Sequence, residues 1–221
     1  MKLYEMATGP LFDPGIYADQ LKLISEERKR KIALLKKRED RCLSLAAGIL
    51  VDKGLQEYGL REKTMQYGYG IHGKPFFKDF PEIYFNISHS KEHAITVFSN
   101  RCIGCDIEHM EPIDLSLAER FFSRAEYAEL KEQAGRTRQR ELFFRLWTLK
   151  ESFLKAVGKG MAIPLDAFTI RLQQERIEMQ GAAASENYHF WEYDQLPDYR
   201  IACCSKYQML ESGMPVIHIS V

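Results

Sequence analysis

Two stretches of this chain place apolar residues at helical spacing. Leu43, Ala46, Ala47 and Leu50 stripe a segment that predicts a helix from about Glu39 to Tyr58, with Gly59 as its stop. Arg140 to Val157 is strongly amphipathic and predicts a second helix ending at Gly158. A shorter helix starts after Ser25, whose hydroxyl can cap it, with Glu26 and Glu27 as early acids. Strands are expected at Ile83–Ile87, Ala94–Phe98 and Cys102–Glu108, with Ser88-His89-Ser90 and Ser99-Asn100 as the turns between them. Short strands follow at about 168–172, 176–179, 188–194 and 199–204, the last two joined across Leu196-Pro197-Asp198. Residues 110–136 are polar with helical patches, 67–73 are glycine-rich, and Ala182 to Ser185 reads as a weak linker. Strands, turns and helices mix without a regular βαβ rhythm, which predicts an α+β fold.

Composition narrows the function more than the fold. The 31 basic residues are balanced by 31 acidic ones, which speaks against a general nucleic-acid binder. Met1-Lys2-Leu3-Tyr4-Glu5 lacks the apolar core of a signal peptide, and the run from Leu43 to Val51 is too short to span a bilayer, so a cytoplasmic protein is expected. The five cysteines, with Cys203 and Cys204 adjacent, make a poor disulfide framework. Cys102 and Cys105 form a C-x-x-C with no second pair, and would face opposite sides of a strand, so they read as small apolar residues.

The chemistry concentrates in Ile103-Gly104-Cys105-Asp106-Ile107-Glu108. Alternation on a strand puts Asp106 and Glu108 on one face, where two carboxylates repel unless a cation sits between them. A hard divalent ion such as Mg²⁺ suits such a pair, although a strand edge with two surface acids has the same pattern. Glu151 and Lys155 share a helix face, as an ordinary salt bridge or as a third carboxylate with a phosphate-binding lysine. Trp147, Phe153 and Leu154 are expected to anchor that helix in the core. Asn86, Ser88 and His89 form either a self-capped turn or a donor cluster for an anion. Lys74 precedes Pro75 and is expected to be extended, with its amide and carbonyl open to a ligand. Arg28 and Lys31 share a face, as a solvated basic surface or as a clamp for a second phosphate.

In order along the chain, Gly73-Lys74-Pro75, Phe85-Asn86-Ile87-Ser88-His89-Ser90, Ile103 to Glu108, Phe121-Phe122-Ser123-x-x-Glu126, and Trp147-x-x-Lys150-Glu151-Ser152-x-x-Lys155-x-x-Gly158-x-Gly160 resemble the motifs of 4′-phosphopantetheinyl transferases of the larger, surfactin-synthetase-activating (Sfp) type. The resemblance covers nearly the whole chain. It implies a pseudo-dimer of two similar α+β halves, 1–104 and 105–221, with the active site in the cleft between them. It implies transfer of phosphopantetheine from coenzyme A to a serine of an apo acyl or peptidyl carrier protein, with release of adenosine 3′,5′-bisphosphate.

The resemblance also assigns roles. Asp106, Glu108 and Glu151 would hold Mg²⁺, or Mn²⁺ in its place, against the pyrophosphate of coenzyme A. Glu151 would be the general base, and Lys155 and His89 would bind pyrophosphate oxygens. Arg28 and Lys31 would grip the 3′-phosphate, Ser88 would join His89, and Gly73, Lys74 and Pro75 would line the adenine side. Leu43 stands where relatives often carry arginine, and Cys105 where Val or Ile is usual. Residues 110–136, with Arg120, Arg124 and Lys131 beside exposed-looking Leu115, Phe121 and Phe122, are expected to dock the carrier. A monomer with no nucleic-acid or membrane partner is expected. The residues alone leave open a phosphohydrolase acting on coenzyme A or a nucleotide, and a non-catalytic module that binds coenzyme A or a carrier.

Overall fold

A computed structural model describes residues 1–173, 176–181, 187–206 and 215–221, so the linker expected at Ala182–Ser185 lies outside the described residues. The fold is α+β and divides into two compact units, Met1–Arg101 with Glu211–Val221, and Cys102–Leu210.

The first unit is built on a four-stranded sheet. Its strands are β1 (Lys2–Ala7), β4 (Tyr84–Ser90), β5 (His93–Ser99) and β11 (Val216–His218), in the order β11-β1-β5-β4. Strand β11 runs parallel to β1; the other pairs are antiparallel. Helix α1 (Pro14–Leu21) and helix α2 (Glu26–Leu34) lead into the long helix α3 (Arg38–Gln56), which packs on β1 and β5. Its stripe is buried as expected: Leu43, Ala46, Ala47 and Leu50 are all in the core. Gly59 takes the left-handed φ of +71° that ends the turn after α3. A small hairpin of β2 (Tyr67–Tyr69) and β3 (Pro75–Phe77) joins this core through Phe77, stacked 4.3 Å from Phe85 of β4.

The second unit repeats the theme of one long helix on an antiparallel sheet. Strands β6 (Ile103–His109), β9 (His189–Tyr193) and β10 (Tyr199–Ser205) form a sheet in the order β6-β10-β9. Helix α6 (Arg136–Val157) packs on β6 and β10, and Gly158 closes it at φ +73°. Before it come α4 (Leu115–Phe121) and α5 (Arg124–Glu132); after it, β7 (Phe168–Leu172) and β8 (Ile177–Gly181) form a hairpin. Phe153 and Leu154 are buried anchors, and half-buried Trp147 stacks on Phe143 at 5.7 Å. Cys105, Cys203 and Cys204 are buried thiols, and no disulfide forms among the five cysteines.

Two expectations need correction. Ser88-His89-Ser90 is not a turn: these residues complete β4, and the chain reverses at Lys91-Glu92, where Lys91 has φ +51°. The strand beginning near Cys102 does not extend the β4–β5 hairpin, because β6 pairs with β10 in a separate sheet. Strands β1 and β11 went unanticipated. In β1, Leu3, Tyr4, Glu5 and Met6 are all buried, so a centrally placed strand shows no alternation to read.

Candidate active site

Gly104 explains how β6 meets α6. A Cβ built at Gly104 would overlap the Ser152 carbonyl oxygen and the Ala156 amide nitrogen, so only glycine allows the strand so close to the helix backbone. That approach sets Asp106, two residues along β6, beside Lys155 of α6. The Lys155 ammonium donates to Asp106 Oδ1 at 2.6 Å. Asp106 is 2% exposed, while the Lys155 side chain keeps 30% of its surface open to solvent.

Electrostatics couple Glu151 to the same pair. Burial, then Asp106, push the Glu151 carboxyl above the ordinary glutamate range, and Lys155 pulls it only partly back. Burial disfavours the Lys155 ammonium, but Asp106 outweighs it, with help from Cys105 and Glu151, and the pKa stands above its ordinary value. Lys155 is therefore charged at neutral pH. Glu108 lies on the same face of β6 as Asp106, about 7 Å further along at some 3.3 Å per residue, opposite Arg200 of β10.

These groups suit a hard cation in chemistry: three carboxylates, two of them mutually repelling, with one lysine already drawn onto Asp106. They are not gathered into a finished cluster. Among the described residues, no three His, Cys, Asp or Glu side chains form a group that could hold a metal ion.

Glu126 and Lys150 add a contact that the motif spacing did not reveal. Lys150 Nζ lies 2.9 Å from Glu126 Oε1, and both side chains are fully buried. Lys150 also donates to the carbonyls of Leu165 at 2.8 Å and Phe168 at 2.6 Å, while Glu126 accepts from the amides of Ile170 at 2.7 Å and Ser123 at 2.8 Å. Burial lowers the Lys150 pKa, and Glu126 opposes that shift. The pair ties α5, α6 and β7 together and fixes the turn of helix that carries Glu151. Its signal was a glutamate after Phe121-Phe122-Ser123 and a lysine beside Glu151, which in sequence are simply two charges.

In the first unit, Arg28 and Lys31 of α2 reach the β2–β3 hairpin. Arg28 donates to Glu62 Oε1 at 3.1 Å and to the Tyr67 hydroxyl at 3.2 Å; Lys31 bonds the Tyr69 hydroxyl and pairs with Glu27 at 3.1 Å. Buried Glu62 also accepts from Ser25 Oγ and Tyr67. Tyr67 and Tyr69 were missed in the sequence, although their i, i+2 spacing is the signal of one strand face. Gly48 on α3 leaves the space that the Arg28 side chain fills.

The hairpin loop carries Gly73-Lys74-Pro75, with Gly73 at φ +82°. The Lys74 carbonyl is not open as expected, because it accepts from Gly70 N at 2.9 Å in closing the loop. His89 is exposed on β4 while Ser88 is buried, so the two point to opposite faces. Leu43 is buried in α3, and Arg41 instead donates to the Leu35 carbonyl at 2.7 Å.

Over 110–136 the exposures differ from those expected. Phe122 is buried against Phe143, Phe121 is half-buried against Trp147, and Leu115 is half-buried; Leu117 is the exposed apolar residue, at 44%. Arg120, Arg124 and Lys131 are exposed. Among the described residues, no helix is long and apolar enough to cross a membrane.

Residues 102–204 match the family model described as the 4′-phosphopantetheinyl transferase superfamily. The chain is 34% identical over 203 residues to the 4′-phosphopantetheinyl transferase Sfp of Bacillus subtilis (strain 168), covering 86% of this chain and 90% of that protein. It is 36% identical over 183 residues to the 4′-phosphopantetheinyl transferase gsp of Aneurinibacillus migulanus, covering 82% of this chain and 76% of that protein. A solved holo-(acyl-carrier-protein) synthase from Bacillus anthracis, in complex with CoA (3′,5′-ADP), shares 21% identity over 46% of this chain and 91% of its own, with a TM-score of 0.40. Identity of this order, sustained along both units, means that the chain belongs to the 4′-phosphopantetheinyl transferases, and within them to the Sfp type.

Proposed function

We propose that the family reaction, transfer of 4′-phosphopantetheine from coenzyme A to a carrier-protein serine, runs in this chain on Asp106, Glu108, Glu151 and Lys155. The observation that carries this reading is the contact between buried Asp106 and half-buried Lys155, with Glu151 held above its ordinary pKa beside them. In the reaction the serine oxygen forms a bond to the phosphorus that bears pantetheine. The bond from that phosphorus to the bridging oxygen breaks, and adenosine 3′,5′-bisphosphate leaves. A divalent cation, Mg²⁺ or Mn²⁺, would be held by Asp106, Glu108 and Glu151 and would neutralise pyrophosphate charge.

Glu151 takes the serine proton, directly or through one water. A raised carboxyl suits it to that task better than an ordinary glutamate near neutral pH. Lys155, charged and held by Asp106, steadies the phosphate and can give the leaving oxygen a proton. His89 would bind pyrophosphate oxygens with Ser88 nearby, Arg28 and Lys31 would take the 3′-phosphate, and Gly73, Lys74 and Pro75 would border the adenine. The first half would thus serve the nucleotide end of coenzyme A, and the second half the metal and the chemistry. Residues 110–136 would dock the acyl or peptidyl carrier. A cytoplasmic monomer is the setting this reading needs.

Intact-mass spectrometry of an apo carrier incubated with this protein, coenzyme A and Mg²⁺ tests the proposal. A gain of one phosphopantetheine, abolished by chelator, is expected. Coenzyme A consumed without a carrier would indicate the phosphohydrolase reading. Coenzyme A bound without transfer to acyl or peptidyl carriers would indicate a binding module.

A further inference from the structure

Two polar clusters of the same make-up stand side by side where α2 meets strand β2. In the inner one, the Tyr67 hydroxyl accepts from Arg28 Nη2 at 3.2 Å and donates to Glu62 Oε1 at 2.8 Å, and Arg28 Nε donates to the same carboxylate at 3.1 Å. In the outer one, the Tyr69 hydroxyl accepts from the Lys31 ammonium and donates to Glu27 Oε1 at 2.7 Å, while Lys31 Nζ lies 3.1 Å from that carboxylate. Each cluster joins one cation of α2, one tyrosine of β2 and one carboxylate. Arg28 and Lys31 are three residues apart on one helix face, and Tyr67 and Tyr69 share a face of the strand.

The clusters differ in exposure. Glu62 is fully buried and Arg28 nearly so, which makes the inner cluster a fixed part of the fold. The outer one faces solvent: half of the Lys31 side-chain surface is open, and Tyr69 is exposed. An ammonium has three N–H groups, and Tyr69 and Glu27 engage two of them, so a further acceptor can be taken on.

Tyr69 decides where that ammonium sits. Glu27 is four residues before Lys31, the spacing of an ordinary helical salt bridge, and alone would draw the lysine back along α2. The hydroxyl holds it across at the hairpin, 4.2 Å from the centre of the Tyr69 ring. Burial lowers the Lys31 pKa, but Tyr69 and Glu27 outweigh it, so the ammonium is charged at neutral pH. Burial raises the Tyr69 pKa and Lys31 offsets only part of that, so the hydroxyl keeps the proton it gives to Glu27. A lysine loose in solvent loses rotamer freedom when a ligand fixes it, whereas one already pinned has lost it beforehand.

We propose that Tyr69 is a positioning residue for coenzyme A: its hydroxyl holds Lys31 at the hairpin, ready for the 3′-phosphate, and so sets the preference for coenzyme A over 3′-dephospho-coenzyme A. The inference rests on the reading of Lys31 as a 3′-phosphate ligand.

The test is calorimetric titration of the full chain with coenzyme A and with 3′-dephospho-coenzyme A, in the parent, Tyr69→Phe and Lys31→Met. Phenylalanine keeps the ring beside Lys31 and removes only a hydroxyl at an exposed position, so the melting temperature should hold. The parent should bind coenzyme A more tightly than the dephospho form. Tyr69→Phe should weaken coenzyme A about fivefold, the order expected when one long side chain must be ordered at binding, and leave the dephospho form unchanged. Lys31→Met should narrow the ratio of the two affinities at least as far. A hydroxyl with a merely structural role would weaken both ligands alike, and that result overturns the proposal. So does a ratio that narrows in Lys31→Met and stays at the parent value in Tyr69→Phe. A parent ratio retained in Lys31→Met removes the 3′-phosphate reading, and the positioning role with it.

Discussion

Gly104 of β6 and Ser152 of α6 approach so closely that no side chain fits between them. The obstacle to a Cβ is helix backbone, which cannot turn aside as a flexible side chain would. Gly104→Ala must therefore push strand and helix apart, at a cost of about 1–3 kcal/mol for such overpacking. The larger loss is functional, because the same approach brings Asp106 to Lys155. Turnover should fall by far more than the drop in melting temperature suggests. Thermal melts and carrier-modification rates on the same preparation check this, and full activity in the variant would refute it.

Lys150→Met strands the Glu126 charge in the core. Breaking a buried pair in this way costs about 3–5 kcal/mol. Replacing Glu126 as well, with Met, should restore much of the loss, because the stranded charge is gone. A double-mutant cycle in urea reads the difference. Additive single and double effects would mean that the pair is not coupled as the 2.9 Å contact requires.

Glu151→Gln should separate stability from function. The Glu151 carboxyl is raised in the folded chain, so the folded state holds that proton more tightly than the unfolded one. As pH rises from the ordinary glutamate range through the raised value, ionising Glu151 therefore removes stability. At neutral pH the metal-free Gln variant should melt higher than the parent. Its turnover should fall about 10²–10⁴-fold, as expected for loss of a general base, with little change in coenzyme A affinity. Retained turnover would remove Glu151 from the base role.

The long helices were legible because their apolar residues recur at helical spacing, although α3 is buried all round from Leu45 to Asp52. The motif residues on β6 and α6 were legible because strand and helix periods fix which side chains share a face. Neither period gives the distance between two elements, so the Lys155–Asp106 contact had to be seen. The same holds for Lys150 with Glu126, joined across residues that are far apart in sequence. Strand β11 is three residues long and its partner, β1, is more than two hundred residues away, so no local pattern could announce their pairing.

Glu5 gives the first unit an acid limb. Burial raises its carboxyl, but hydrogen bonds from His93 and His218, at 2.5 and 2.6 Å, outweigh it and hold the pKa below the ordinary value. A depressed carboxyl contributes stability that is present above its unfolded value and is lost as pH falls through the folded one. His218 sits on β11, so this bond also fastens the C-terminal strand to β1. Glu5→Gln should lower the melting temperature at neutral pH and flatten its decline on acidification. An unchanged acid limb would show that the limb belongs to other carboxylates.

Charge reversal at Arg120 and Arg124 tests the docking segment. Both are exposed, beside Leu117 on the surface of α4 and α5, and neither belongs to the Asp106–Glu151–Lys155 group. Surface charges of this kind act chiefly on encounter rate and salt dependence. Arg120→Glu with Arg124→Glu should raise the carrier KM about tenfold, which corresponds to roughly 1.4 kcal/mol. The effect should shrink at high salt, because exposed charges are screened over a Debye length of about 10 Å at 0.1 M. Coenzyme A binding should stay as it was. Carrier kinetics identical to the parent at low salt would move the docking surface away from these helices.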